Sequence, residues 1–404
     1  MVTQGQDSVG IHKRLVVCFD GTWNSADNGG ADTNVALISK AIHATTGTGG
    51  VLQSVLYLRG VGTSGLDITR QFDGATGLGI DDNIRSGYMF LAQNYVPGDE
   101  IFLFGFSRGA FTARSLVGLI SAAGLLKRQS LGSLGAAWLY YRNGKRPHTP
   151  EAFMAETSGA DAHTDVEIRF LGVWDTVGAL GIPGHVFDHI NHNLYGFYDT
   201  SLCPIVRSAC HALAIDEHRG AFVPTLWTGE VPPGCEVEQM WFAGAHADVG
   251  GGYRTRDLAD IPLVWMALKA EAAGLVLDWS CLPDPGKPKP LAARHDSSSG
   301  PFAYNRMVPT IRQVCGRSFE VPFYQTLYAP TDKRHQPLAA VNEALHDSVR
   351  ARFRQQTLLC EDDAKGRCKN ELYAPANVRA VLDDQSAPGR AAEAAAGMAA
   401  VDPA

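Results

Sequence analysis

Residues 99–126 read DEIFLFGFSRGAFTARSLVGLISAAGLL. The run IFLF is apolar at successive positions instead of alternating, the pattern of a strand buried on both faces of a parallel sheet. Gly105-Phe106-Ser107-Arg108-Gly109 follows, and then AFTARSLVGLI, which reads as a helix apolar almost all round, central and covered. A G-x-S-x-G pattern alone is weak in a chain with 43 glycines; strand before and helix after give it meaning. A serine at such a turn has a strained backbone, and only small neighbours avoid a clash, hence Gly105 and Gly109. The helix N-terminus turns its N–H groups and positive dipole end toward the hydroxyl. Ser107 is therefore the candidate nucleophile, and the Arg108 N–H a candidate oxyanion donor. The competing reading is an ordinary serine in a tight strand–helix turn.

Working outward, RLVVCFDG (14–21), SVLYLRGVG (54–62), VEIRFLGVWD (166–175) and VEQMWFAGAH (237–246) are further strand-length apolar runs with turn signals behind them. Asp81 to Tyr95 carries Ile84, Tyr88, Leu91 and Tyr95 on one helical face, and Pro97-Gly98 stops it. Strand and helix in alternation predict a doubly wound α/β domain, with a mostly parallel central sheet, helices on both faces and lid-like insertions. The expected domain is 1–376, with lid or loop insertions at about 127–164, 179–222 and 282–301. Residues 377–404, ending in the low-complexity APGRAAEAAAGMAAVDPA, are expected to be a tail.

A serine hydroxyl needs a base, and the base needs an orienting carboxylate. In the hydrolase order of serine, acid, histidine, each just past a strand, the acid is Asp175 in FLGVWDTVGALG and the base His246 in MWFAGAHADVGGGY. Taken singly, Asp175 could be a helix cap and His246 a loop histidine; three residues in the right order at three strand ends weigh against that. His346 in EALHDSVR, a polar and helical stretch, is the second-choice base, and Asp248 a second-choice acid or ion ligand. His211 and His218, in the apparent helix HALAIDEHRG, read as structural, as do His185, His189 and His192 in a loop-like stretch. The second oxyanion donor is expected from Gly21 or Thr22 in FDGTWN. A haloacid-dehalogenase reading of that segment fails, because Cys18 stands where its aspartyl nucleophile would be.

Composition excludes other classes. Lys+Arg 35 against Asp+Glu 42 gives a net charge of −7, a poor basis for general binding of nucleic acid. The longest strongly apolar stretch, Ser115 to Leu126, is far below the roughly 20 residues of a spanning helix. The N-terminus has no apolar core, so no secretory signal peptide is expected and the protein is made in the cytoplasm. The cysteines at 18, 203, 210, 235, 281, 315, 360 and 368 form no C-x-x-C pair and no zinc spacing. They are expected as buried thiols in a reducing compartment, with a disulfide only if the protein is exported. GATGLG (74–79) follows no strand, GGGY (250–253) only lets the chain turn after the base, and no P-loop is present. No cofactor and no metal are expected.

The blocks LVVCFDGTWN, GLGIDDNIRSGYMFLAQNYVPGDEIFLFGFSRGAFTARSLVGLI, GVWDTVGALG, HALAIDEHRGAFVPTLW and WFAGAHADVGGGY occur in this order. Together they resemble the uncharacterised α/β-hydrolase domain of bacterial type VI secretion lipase effectors. The likeness spans about residues 14–266, with a weaker echo at LHDSVRARF (345–353). It implies an α/β-hydrolase fold and phospholipase A-type ester hydrolysis. It carries over Ser107, Asp175 and His246 as the triad, an acyl-ester or phospholipid substrate met at a membrane surface, export by a type VI system, and a secretion or immunity partner. Two alternatives stay open: another acyl substrate (thioester, polyester or peptide), or a retired hydrolase fold serving as a binding module.

Overall fold

The structure, a computed structural model, describes residues 12–21, 31–44, 50–60, 75–143, 148–178, 200–297, 308–332, 336–362 and 367–383. In chain order the strands are Lys13–Phe19 (β1), Leu52–Leu58 (β2), Glu100–Phe106 (β3), Leu125–Leu126 (β4), Ala162–His163 (β5), Ile168–Trp174 (β6), Ser208–Ala214 (β7), Glu236–Phe242 (β8), Arg294–His295 (β9), Thr310–Arg312 (β10), Thr326–Tyr328 (β11), Glu343–Leu345 (β12), Gln356–Asp362 (β13) and Arg367–Leu372 (β14). The helices are Asn34–Ala41 (α1), Ala75–Asn94 (α2), Arg108–Ala123 (α3), Leu134–Arg142 (α4), Pro150–Glu156 (α5), His246–Gly250 (α6), Asp260–Ala272 (α7), Asp347–Arg352 (α8) and Ala376–Leu382 (α9).

Seven strands form one sheet in the order β12-β8-β7-β6-β3-β1-β2, every pair parallel. The non-alternating apolar runs have the cause expected of them. Leu15, Val17 and Phe19 of β1 enter a core with α2, α3 and α4, while Val16 and Cys18 enter a second core with α1 and α7. β3 divides likewise, Ile101 and Leu103 to one side and Phe102, Phe104 and Phe106 to the other. Ile84, Tyr88, Leu91 and Tyr95 are all buried on α2, as their spacing predicts. The chain runs from β1 outward to β2 and returns to β3 on the other side of β1, so the strand order switches between β1 and β3. Ligands of open parallel sheets bind outside the C-terminal strand ends at such a switch, and Ser107 follows β3 there.

Several expectations change. Residues 211–214, the first part of the stretch 211–220 that reads as a helix, belong to strand β7, paired with β6 and β8 on either side; Ala209, Ala212 and Ala214 are buried in it. Of the expected lid at 179–222, residues 179–199 lie outside the described residues, and residues 208–214 are a strand of the sheet instead of a lid. The insertion 127–164 holds α4 and α5, and its contacts lie along the far half of α3: the Gly118 α-carbon faces the Tyr141 ring and Gly124 faces Pro150 and His163. At 1.5 Å per residue, Gly124 is about 25 Å along the chain axis from Ser107. In the 282–301 segment, β9 pairs with β13 and buries His295. The tail begins later than composition suggests, since α9 buries Asn377 and places Val378 in a third apolar cluster with Leu213, Trp241, Val314 and Tyr373. Cys360 and Cys368 face each other across β13–β14 and form a disulfide, so these two are not the thiols that were expected.

Candidate active site

Ser107 has φ +57° and ψ −122°, a conformation rare for a residue with a side chain, and its side chain makes no helix-capping hydrogen bond. Its N–H donates to the Trp174 carbonyl at 3.0 Å, and its own carbonyl accepts from Phe111 N–H at 3.3 Å. The flanking glycines are steric necessities. A Cβ on Gly105 would lie 2.5 Å from the Gly109 carbonyl oxygen, and one on Gly109 would lie 2.2 Å from that of Phe19. The ends of β1 and β3 are therefore in direct contact with the start of α3. Arg108 opens α3, where amide groups have no carbonyl one turn earlier to bond.

Asp175 directly follows Trp174 of β6 and has φ +38°. It is fully buried, and its N–H donates to the Ala212 carbonyl at 2.7 Å, which carries the ladder past the strand end. His246 is the first residue of α6, four residues beyond the end of β8. Its Nδ1 lies 2.6 Å from Asp175 Oδ2. An ionised carboxylate only accepts, so Nδ1 donates, and Nε2 is left as the basic nitrogen. The rings of Phe106 and Phe222 pack against the imidazole with centroids at 4.6 and 4.9 Å. Phe106 is the residue before Ser107, so the imidazole packs against the residue that precedes the serine. Gly250 makes room for this arrangement: a Cβ there would lie 1.9 Å from the Phe106 ring.

The electrostatics follow from burial and pairing. Burial alone would raise Asp175, but the Arg312 guanidinium, and then His246, hold the carboxyl below the usual carboxylate range. Arg312 Nη1 donates to Asp175 Oδ1 at 2.7 Å and Nη2 to Oδ2 at 3.0 Å. Burial lowers His246, and Asp175 and Glu217 act against it. Glu217 is buried too, and the bidentate Arg219 at 2.8 Å overcomes the effect of burial and holds it at about 2. Glu217 Oε2 also accepts the His246 backbone N–H at 3.2 Å, so this ion pair holds the base in place. Arg108, largely desolvated at the start of α3, is lowered to about 10.

The other candidates have other employment. Asp248 caps its own helix, accepting from Ala245 N–H at 2.9 Å, and pairs with His295 at 2.6 Å; it does not pair with His246. His346 is the N-cap of α8, bonded to Ser348, and its ring stacks on Phe242 at 4.7 Å. His211 accepts from Thr176 N–H at 3.1 Å inside the sheet. The Gly21 N–H, expected to face an oxyanion, donates instead to Asp20 Oδ1 at 2.6 Å, because the buried Asp20 carboxylate gathers the donors around it: Gly21, Thr33 and Tyr57. Thr22, His185, His189 and His192 lie outside the described residues. Among the described residues no group of three or more His, Cys, Asp or Glu side chains could hold a metal ion. Arg312 and Glu217 were not found from sequence. Arg312 sits alone in VPTIRQVCG and carries no spacing signal toward a carboxylate 137 residues away.

The sequence model of the family described as "T6SS, Phospholipase effector Tle1-like, catalytic domain" matches residues 13–269. A curated relative, the uncharacterised protein YEL023C of Saccharomyces cerevisiae, is 28% identical over 239 residues, covering 54% of this chain and 33% of that protein. Among solved structures, an uncharacterised protein from Pseudomonas aeruginosa aligns at 20% identity with a TM-score of 0.41, covering 68% of this chain and 48% of the other. The Tle1 effector bound to the VgrG spike of the type 6 secretion system aligns at 20% identity and a TM-score of 0.35, covering 61% of this chain and 52% of the other. The chain thus spans about a third of the length of the yeast relative and about half of each solved protein. Because the family match covers more than half of the sequence, including all three strand ends that carry the crevice, the chain belongs to the Tle1-like type VI secretion phospholipase effector family, through its catalytic domain.

Proposed function

We propose that this chain is a serine hydrolase that cleaves fatty-acyl esters of lipids, phospholipase A-like, through Ser107, His246 and Asp175. The observation that carries the reading is the buried Asp175–His246 pair at 2.6 Å, whose imidazole packs on Phe106, the residue before a serine in a strained strand-to-helix turn. In the proposed reaction His246 Nε2 takes the proton of Ser107 Oγ as the oxygen bonds to the ester carbonyl carbon. The carbonyl oxygen becomes an oxyanion held by the Arg108 N–H, with Thr22 N–H proposed as the second donor; each such donor contributes about 3 kcal/mol. His246 then returns the proton to the departing alcohol, leaving an acyl-enzyme. Water, deprotonated by the same nitrogen, attacks that ester and releases the fatty acid and the free serine. Asp175 keeps the ring in the Nδ1–H tautomer and stabilises the imidazolium formed in between.

The family supports a lipid ester, and with it contact at a membrane surface, export by a type VI machine and a secretion or immunity partner. Among the described residues no helix is long and apolar enough to cross a membrane. The test is direct. Wild-type protein should hydrolyse p-nitrophenyl butyrate, release fatty acid from phosphatidylcholine vesicles and be labelled by a fluorophosphonate probe. Ser107→Ala should keep its circular dichroism spectrum and lose all three activities. A variant lacking the hydroxyl that still turns over ester at the wild-type rate would remove this reading.

A further inference from the structure

Four terminal N–H donors of one buried arginine meet four acceptors around the acid. Arg312 Nη1 donates to Asp175 Oδ1 and to the Ala214 carbonyl, both at 2.7 Å; Nη2 donates to Asp175 Oδ2 at 3.0 Å and to the Phe222 carbonyl at 2.5 Å. Its side chain is 1% exposed. From the carboxylate's side, Oδ1 accepts from Ala214 N–H at 3.0 Å and from Arg312, and Oδ2 accepts from His246 and from Arg312. A carboxylate has about four lone-pair positions, so none remains. We infer that Arg312 is a positioning residue of the hydrolase: its planar fork, itself pinned by two main-chain carbonyls, locks the Asp175 carboxylate in the orientation that presents Oδ2 to His246 Nδ1. This rests on the triad reading above and adds a fourth member to it.

A serine–histidine–acid relay works without such a clamp when hydrogen bonds from neutral groups hold the acid. Here the acid shares its charge with a cation. The clamp draws negative charge away from the imidazole while it fixes the geometry. Lysine keeps the cation but lacks the fork that spans both oxygens. The charged groups facing His246 are Asp175 from the end of β6, Glu217 and Arg219 from the segment after β7, and Arg312 from β10 through the carboxylate. His211 of β7 faces Asp175 from within the sheet. Glu217 and Arg219 are bonded to each other through contacts that do not involve Arg312.

The experiment compares wild type, Ser107→Ala, Arg312→Lys and Arg312→Gln on p-nitrophenyl butyrate from pH 5 to 9, with circular dichroism to establish folding. If wild-type turnover does not depend on Ser107, the triad reading fails and the inference falls with it. Given Ser107-dependent turnover, Arg312→Lys should lose about 10- to 100-fold in kcat with little change in KM, the worth of one charge-assisted hydrogen bond. Arg312→Gln should lose at least as much, and the acidic limb of its kcat/KM profile should move up by about one pH unit, because an unshared Asp175 charge favours the imidazolium. The downfield proton resonance of His246 Nδ1–H should also move in both variants. A role in stability alone would lower the melting temperature and leave the limb and the resonance in place. A folded Arg312→Gln protein with the wild-type limb, or an Arg312→Lys protein with wild-type kcat, overturns the inference; the lysine variant decides if the glutamine variant does not fold.

Discussion

Ser107 occupies a left-handed backbone conformation that costs about 1–3 kcal/mol for a residue with a Cβ. Its neighbours hold it there, and the glycines on either side let them. At Gly109 the obstacles to a side chain are the main-chain carbonyls of Phe19 and Asp20, at 2.2 and 2.5 Å from a Cβ. These cannot rotate away as a side chain could. Gly109→Ala should therefore destabilise the protein by about 3 kcal/mol, read as a fall in the urea midpoint, and abolish fluorophosphonate labelling. Gly250→Ala differs in kind, because the obstacle is the Phe106 ring at 1.9 Å. Displacing that ring removes the support of His246, so turnover should fall further than stability does. The turn glycines and the serine were legible because the motif states its own geometry. Gly250 and Arg312 were not, because their reasons are partners far away in sequence.

At the scale of elements, β7 and α9 carry the same lesson. SACHALA is small and apolar, and alanine and leucine favour helix in isolation. Neighbours β6 and β8 on both sides override that preference, and small side chains suit a strand at the centre of a covered sheet. The five strands legible in the sequence are the ones rich in Val, Leu and aromatic residues, where composition and context agree. In the sequence α9 reads as tail because alanine-rich sequence follows it. Its Asn377 Nδ2 donates to the carbonyls of Arg312 at 3.1 Å and Ile215 at 3.4 Å. The C-terminal helix thus holds the backbone of the residue that clamps Asp175. Asn377→Ala would leave both buried carbonyls short of a donor. It should cost about 1–3 kcal/mol in urea unfolding and lower kcat. Arg379→Ala, exposed on the same helix, should stay within about 0.5 kcal/mol of wild type. Equal effects of the two substitutions would separate α9 from the site.

Across the whole molecule, buried titratable groups govern how stability depends on pH. His211 is fully buried and accepts from Thr176 N–H. Burial, reinforced by Arg114, lowers it to about 3. A histidine held neutral in the fold charges in the unfolded chain near pH 6.5. Below that pH the unfolded state binds a proton the folded state refuses, so stability falls with pH from about 6.5 to 3 by about 1.4 kcal/mol per unit. Carboxylates held low act in a second, lower window. Glu217, at about 2 against an ordinary 4.5, contributes stability above pH 4.5 that is lost as pH falls through the window between the two values. Asp20 and Glu343, raised by burial, oppose this trend and gain on acidification. A difference between two proteins that share these acids cancels them. His211→Gln keeps an acceptor for Thr176 N–H and removes the titration. Its urea midpoint at pH 7.5 should lie below that of wild type, and the gap should close by about 2 kcal/mol by pH 5. Parallel pH curves for the two proteins would mean that the ring charges inside the fold as easily as outside it, which a site closed between β6, β8 and Trp227 does not permit.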